Sequence, residues 1–114
     1  MTLRFSTLPL STNALYRAVG GRSILSAKGR AYKEEIAWEA RRQYRGKPMT
    51  GELCVEVQIF WPDRRRHDID NGLKALFDSL TGIIYEDDSQ ISDAHVIRFL
   101  ASKTPGVEMR VWAS

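Results

Sequence analysis

Three side chains in the second half of the chain have the types and the spacing of a metal-dependent site. Asp68 and Asp70 stand two positions apart, and Lys74 follows four positions later. Residues two apart in an extended segment point to the same side, so we expect both carboxylates to face one ligand. Carboxylate oxygens are the hard ligands that Mg²⁺ prefers, and the ion keeps water or substrate oxygens in its other positions. The pattern predicts part of a magnesium site.

A further carboxylate is expected from another segment, because two aspartates from one turn seldom make a whole site. Three consecutive acidic residues, Glu86, Asp87 and Asp88, supply the candidates, and spacing alone leaves open which of them binds. Plainer interpretations compete with this one. An aspartate at the start of a helix is most often an N-cap, and acidic loop residues are most often solvated.

Basic residues beside the acidic pair favour a phosphodiester substrate. The run Arg64–Arg66 leads directly into His67 and Asp68. A helix that starts with Asp70 or Asn71 as its cap would direct its partly positive N-terminus at the same place. The net charge of +3 leans toward an anionic partner but does not identify it. The substrate class therefore depends on the combination, since a run of arginines is also common in solvated loops.

Composition limits the class of protein. The chain has 114 residues, which suits one compact domain, and its 43% of apolar residues suffices for a core. Cys54 is the single cysteine, so an internal disulfide is excluded and a cysteine-based zinc site is disfavoured. No apolar run approaches the roughly 18 residues of a membrane span, and the first residues lack a signal-peptide pattern. We therefore expect a cytoplasmic protein without membrane contact.

Hydrophobic periodicity predicts the elements that must position these groups. Strands are predicted over 3–8, 53–61, 91–100 and 107–112, with a turn at 104–106 between the last two. One helix is predicted from an N-cap at Ser26 to about Arg45, and a second from about Asp70 to Leu80. Turn-forming residues over 10–22 predict a loop. The order β-α-β-α-β-β predicts a single α+β domain over 1–114, with two main helices packed on a small mixed β-sheet.

The segment Pro62–Asn71 resembles the core motif of the RusA family of Holliday junction resolvases, which are common in phages and prophages. Lys74, the pair Phe77–Asp78 and the pair Asp87–Asp88 follow it in the order typical of the family. The resemblance covers nearly the whole chain. Its N-terminal part is carried by three segments, Leu8–Asn13, Tyr16–Arg17 and Ser26–Tyr32.

The resemblance implies roles for individual residues. The metal-binding aspartates of the family fall on Asp68, Asp70 and Asp88, and the catalytic lysine falls on Lys74. Supporting roles behind the ligands are implied for Asn71 and Asp87. His67 departs from the family, because an arginine or a lysine is common at that position. The residues expected to contact DNA are Arg17, Lys28, Arg30, Arg64, Arg65, Arg66 and His67.

The implied activity is Mg²⁺-dependent, structure-selective cleavage of DNA, with Mn²⁺ as an alternative ion. The substrate would be a four-way (Holliday) junction, resolved by paired symmetric cuts. Because two matched cuts need two active sites, a chain with one site is expected to act as a homodimer. Aromatic residues are expected mainly in the core, with some of them at the dimer interface: Trp38, Phe60, Trp61, Phe99 and Trp112.

Two alternatives stay open at the level of sequence. The first is a nuclease of the same scaffold that acts on flaps or replication forks. The second is a non-catalytic DNA-binding module in which the acidic residues are structural. Metal-dependent nicking that EDTA abolishes would separate the two nucleases from the binding module.

Overall fold

The structure is a computed structural model that describes the backbone of residues 1–114 and every side chain except that of Thr12. The elements in chain order are β1 (Thr2–Phe5), α1 (Thr12–Leu15), β2 (Tyr16–Val19), β3 (Arg22–Leu25), α2 (Ala27–Gln43), β4 (Leu53–Phe60), α3 (Leu73–Leu80), a 3₁₀ turn (Asp88–Gln90), β5 (Ile91–Phe99) and β6 (Gly106–Ala113). The predicted α+β class is confirmed.

A four-stranded mixed sheet in the order β1-β6-β4-β5 forms the centre of the domain. β4 pairs parallel with β5 and antiparallel with β6, and β6 pairs antiparallel with β1. Parallel neighbours need a crossover connection, and α3 lies within the one that joins β4 to β5. The two acidic segments of the sequence therefore flank α3 on either side.

The hydrophobic core lies between one face of the sheet and the helices α2 and α3. Alternate residues of β4 point into it, and Leu53, Val55 and Val57 are fully buried there. The helices contribute buried side chains at helical spacing: Ile36 and Ala40 from α2, and Leu76 and Leu80 from α3. Full burial of one such large aliphatic side chain stabilises the fold by about 1.5–3 kcal/mol.

The aromatic residues only partly follow the expectation of core packing. Trp38, Phe99 and Trp112 are exposed, whereas Phe60 and Trp61 are half-buried. Phe60 and Phe99 stack on the far side of the sheet from the helices, with ring centroids 4.9 Å apart. None of the described helices is long and apolar enough to cross a membrane.

The prediction of a loop over 10–22 is wrong. This segment contains the short helix α1 and most of an antiparallel hairpin of β2 and β3. Gly20 and Gly21 form its tip with φ of 55° and 76°. Two consecutive positive φ angles are what a tight two-residue hairpin turn requires, so the turn-forming residues mark the tip of a hairpin.

The two main helices differ in how well their starts were predicted. Ser26 caps α2 as expected, and its hydroxyl accepts a hydrogen bond from the backbone N–H of Gly29 at 2.9 Å. α3 begins at Leu73, so the predicted cap at Asp70 or Asn71 is wrong. The chain turns at once after Asp68, whose carbonyl accepts from the N–H of Asn71 at 3.3 Å. Asp68 and Asp70 are therefore not neighbours on one extended strand.

Gly72 occupies the N-cap position of α3 with φ of 98°, a left-handed conformation. A Cβ atom there would lie 2.6 Å from the Cβ of Pro9 and 3.2 Å from the carbonyl oxygen of Leu10. The N-terminal segment thus packs directly onto the start of the helix. This contact gives Gly72 a structural reason that does not involve DNA.

Gly72→Ala is expected to lower the free energy of unfolding by about 3 kcal/mol, since it combines backbone strain with a steric clash. Gly82→Ala is the matched control, because Gly82 has φ of 83° but open space around its Cα. We expect the control to lose about 1 kcal/mol. Urea denaturation of both variants measures the difference, and equal losses would show that the contact with Pro9 adds nothing.

Candidate active site

α3 carries an ion pair on its exposed side. Lys74 and Asp78 are four residues apart, and the Lys74 Nζ lies 3.1 Å from an Asp78 carboxylate oxygen. This spacing puts both side chains on one helix face. The hydrogen bond to Asp78 and its negative charge raise the pKa of Lys74, with smaller contributions from Tyr16 and Asp88. Lys74 is therefore a stable ammonium group at neutral pH.

Asp88 joins this ion pair from the 3₁₀ turn. Partial burial raises the pKa of Asp88 first, followed by a hydrogen bond with the Asp78 carboxyl and the charges of Asp78 and Asp87. A neighbouring carboxylate disfavours the charged form of Asp88. The structure thus brings together one ammonium group and two carboxyl groups, those of Lys74, Asp78 and Asp88.

Gln90 holds the turn that presents Asp88. Its side-chain oxygen accepts hydrogen bonds from the N–H groups of Glu86 and Asp87, at 2.8 and 2.9 Å. Its side-chain nitrogen donates to the carbonyl groups of Met49 and Gly51, both at 2.9 Å. Asp87 caps the turn by accepting from the N–H of Ser89. Asp88 is therefore anchored to the segment before β4 through a single amide.

A second set of contacts fixes the residue that precedes Asp68. The rings of Trp61 and His67 stack, with centroids 3.6 Å apart and planes within 2°. The His67 Nε2 lies 2.8 Å from an Asp63 carboxylate oxygen, and the Arg98 guanidinium donates to the His67 carbonyl oxygen. The hydrogen bond with His67 lowers the pKa of Asp63. The imidazole is thus engaged within the protein.

Asp68 and Asp70 lie in the turn before α3, and both are exposed. Among the residues whose side chains the structure describes, no three acidic, histidine or cysteine groups are close enough to hold one metal ion. Asp68, Asp70 and Asp88 therefore do not form a cluster in this conformation. Their role as metal ligands stays a prediction.

The other predicted site residues lie on the surface. The arginines at 64–66 are exposed in the loop after β4, and Asn71 is exposed in the turn before α3. Arg17 is exposed on the hairpin of β2 and β3, whereas Lys28 and Arg30 are exposed in the first turn of α2. Arg30 also donates to the carbonyl oxygen of Leu25 at 3.0 Å. The side chains of all these residues are therefore accessible to a ligand.

Sequence reasoning assigned no role in the site to three residues that shape it. Asp78 is the first, although its position four residues after Lys74 on a predicted helix was a usable signal. Gln90 follows the acidic run as a capping-box residue, a second local signal. Trp61 gave no signal, since its stacking on His67 arises from how the loop folds back.

Comparison with known proteins adds a family relationship. The family model described as Endodeoxyribonuclease RusA matches residues 8–112. The chain is similar to the crossover junction endodeoxyribonuclease RusA of Escherichia coli K12, with 33% identity over 104 residues that cover 90% of this chain and 87% of that protein. The protein of the same name from Enterobacteria phage 82 gives the same identity and coverage. That from Aquifex aeolicus is 30% identical over 112 residues, covering 96% of this chain and 88% of its own length.

The raised pKa of Asp88 predicts that its ionisation costs stability. A carboxyl whose pKa is higher in the folded state favours folding below its unfolded pKa of about 3.9, and this contribution is lost as the pH rises through the folded value. In EDTA at pH 7, Asp88→Asn is therefore expected to raise the free energy of unfolding by roughly 0.5 kcal/mol, the scale of an exposed charge interaction. At pH 3 it should raise it by much less.

Urea denaturation at both pH values measures this effect. Glu86→Gln is the control, because it removes an exposed charge from the same loop. An equal effect of Asp88→Asn at both pH values would show that charge repulsion around Asp88 is negligible.

Proposed function

Since the chain belongs to the RusA family of endodeoxyribonucleases, we propose that it resolves four-way DNA junctions by paired, symmetric, Mg²⁺-dependent cuts. The observation that carries this proposal is the protonated Lys74 beside Asp78 and Asp88, one turn of chain from Asp68 and Asp70. In a metal-dependent nuclease, an ammonium group beside carboxylate oxygens is suited to bind a phosphate of the DNA substrate.

The donor groups fit a hard divalent cation. Asp68, Asp70 and Asp88 offer carboxylate oxygens only, as Mg²⁺ prefers, and Mn²⁺ accepts the same ligands. The mutual repulsion of Asp88 and Asp78 is a second supporting observation, because a cation at this place would relieve it. We propose that Asp68 and Asp70, exposed in their turn, approach Asp88 when the ion and the DNA bind. Asn71 and Asp87 would orient these metal ligands through hydrogen bonds without contacting the ion themselves.

Lys74 acts as an electrostatic stabiliser in this proposal. Asp78 holds its ammonium group on the exposed face of α3 and raises its pKa, so the group keeps its proton throughout the reaction. It would donate to a non-bridging oxygen of the cleaved phosphate, where negative charge grows in the transition state. A bound divalent cation supplies the activation of the attacking water and neutralises phosphate charge.

DNA would approach over the exposed basic residues around the turn. Arg64, Arg65 and Arg66 lie just before Asp68, and Arg17, Lys28 and Arg30 are exposed on the β2–β3 hairpin and at the start of α2. Such phosphate contacts position the DNA without reading its sequence. A homodimer with two-fold symmetry would place two active sites at a fixed distance, which is how paired cuts and junction selectivity would arise. His67 would assist through its backbone position more than through its ring.

The experiment that tests the proposal uses a labelled four-way junction and a linear duplex of the same sequence, each with Mg²⁺ or EDTA. Paired symmetric cuts in the junction, only with Mg²⁺, are expected on a denaturing gel. Binding on a native gel without cleavage would contradict the proposal and support a non-catalytic module. Equal cutting of flaps or forks would contradict junction selectivity.

Asp70→Asn is expected to lower the cleavage rate at least about a hundredfold and to leave junction binding unchanged or tighter, because it removes a ligand and a repelling charge. Asp93→Asn is the matched control, since Asp93 is an exposed aspartate on β5 paired with His95. Loss of both binding and cleavage in Asp70→Asn, at unchanged stability, would contradict the ligand role.

A further inference from the structure

A groove runs along α2 next to the candidate active site. It has a volume of about 510 Å³ and lies between α2 and the residues around the end of α3. Asp78 lines one side of it, and Lys33, Trp38 and Arg41 line the other. We call Asp78, Asp88 and their partner Lys74 the acidic cluster. Since Asp78 contacts Lys74 and reaches Asp88, the groove starts at this cluster.

Trp38 is the residue of this groove that most strongly indicates a binding site, because a large aromatic side chain is exposed there. Its side chain is 59% exposed, the largest exposed fraction among the exposed large hydrophobic residues of the described structure. The Arg42 guanidinium lies 4.7 Å from the centre of its ring. Exposed aromatic rings are the groups on which proteins stack nucleic acid bases, and nearby arginines add cation–π contacts.

The groove continues away from the acidic cluster with a basic lining. An adjoining depression of about 390 Å³ shares Arg41 and Ile83 with it and adds Arg45. Lys33 and Arg41 lie on one face of α2, eight residues apart, and face the groove together. Two acidic residues also line the groove: Asp78, which is already paired with Lys74, and Glu34, which Lys33 and Arg41 outnumber. The remaining charge is complementary to a phosphate backbone.

We propose that this groove binds the DNA strand at the branch point, with Trp38 stacked on a base face that the branch point exposes and with Arg41 and Arg45 on the backbone phosphates. This inference rests on the proposed function and deepens it. A continuous duplex keeps both faces of every internal base covered, whereas a branch point exposes base faces. Stacking on Trp38 would therefore select branched DNA without reading sequence.

Tryptophan fluorescence tests the stacking directly. In a Trp61→Phe/Trp112→Phe double variant, Trp38 is the remaining tryptophan, since the chain has three. In EDTA, where cleavage is prevented and junction arms repel one another, a junction and oligo(dT) should quench its emission. A duplex with closed hairpin ends should not, at equal fractions bound by anisotropy.

Binding measurements on Trp38 variants complete the test. Trp38→Ala should weaken junction binding about tenfold and duplex binding less than twofold, and Trp38→Phe should retain most of the affinity. Unquenched emission on bound junction, or equal losses for junction and duplex, would overturn the proposal. So would a dimer that becomes a monomer in Trp38→Ala by sedimentation, because the groove would then be an interface between copies.

These readouts do not depend on cleavage. Nicking by the wild-type protein, measured in parallel with Mg²⁺, judges the proposed activity separately. A protein that nicks junctions but fails the fluorescence test leaves the proposed function standing and removes Trp38 from it.

Discussion

The burial of one side of α3 is the constraint on which the arrangement of charges depends. Leu76 and Leu80 are held in the core, so the helical repeat directs Lys74 toward solvent and leaves Asp78 half-buried beside it. The parallel pairing of β4 and β5 requires a crossover at this place. Burial of one face of α3 therefore fixes the orientation of the Lys74–Asp78 ion pair. The turn with Asp68 and Asp70 precedes this short helix, and the segment with Asp88 follows it.

The acidic cluster has the character of a site that gives up stability for chemistry. Burial and the charge of Asp78 oppose the ionisation of Asp88, and the ammonium group of Lys74 offsets part of the negative charge. The scaffold holds Asp88 in place through the four hydrogen bonds of Gln90. On the other side, stacking on Trp61 fixes only the residue before Asp68. One acidic segment is therefore anchored on its neighbours, and the other stays exposed.

Sequence reasoning succeeded where the signal is local and repetitive. The alternation in β4 and the Ser26 cap of α2 are patterns of neighbouring residues, and the structure has both. The predicted start of α3 was wrong, because the chain turns after Asp68 and Gly72 takes a left-handed conformation packed against Pro9, a contact that no pattern near Asp70 reveals. Sequence reasoning named Asp78 only as part of the family motif and gave it no role in the site. Its importance comes from the approach of Asp88, which is set by the tertiary fold.

The contact between Pro9 and Gly72 also limits which substitutions the chain can accept. It joins a segment near the N-terminus to the turn that carries Asp68 and Asp70, although the two are far apart in the chain. A side chain at position 72 would clash with the Cβ atom of Pro9 and approach the Leu10 carbonyl oxygen, in a left-handed conformation that side chains disfavour. Glycine is therefore expected to be retained at position 72 wherever this turn packs on the N-terminal segment. Selection that retains Gly72 would thereby preserve the geometry of the turn that carries Asp68 and Asp70, although glycine has no side chain to take part in any chemistry.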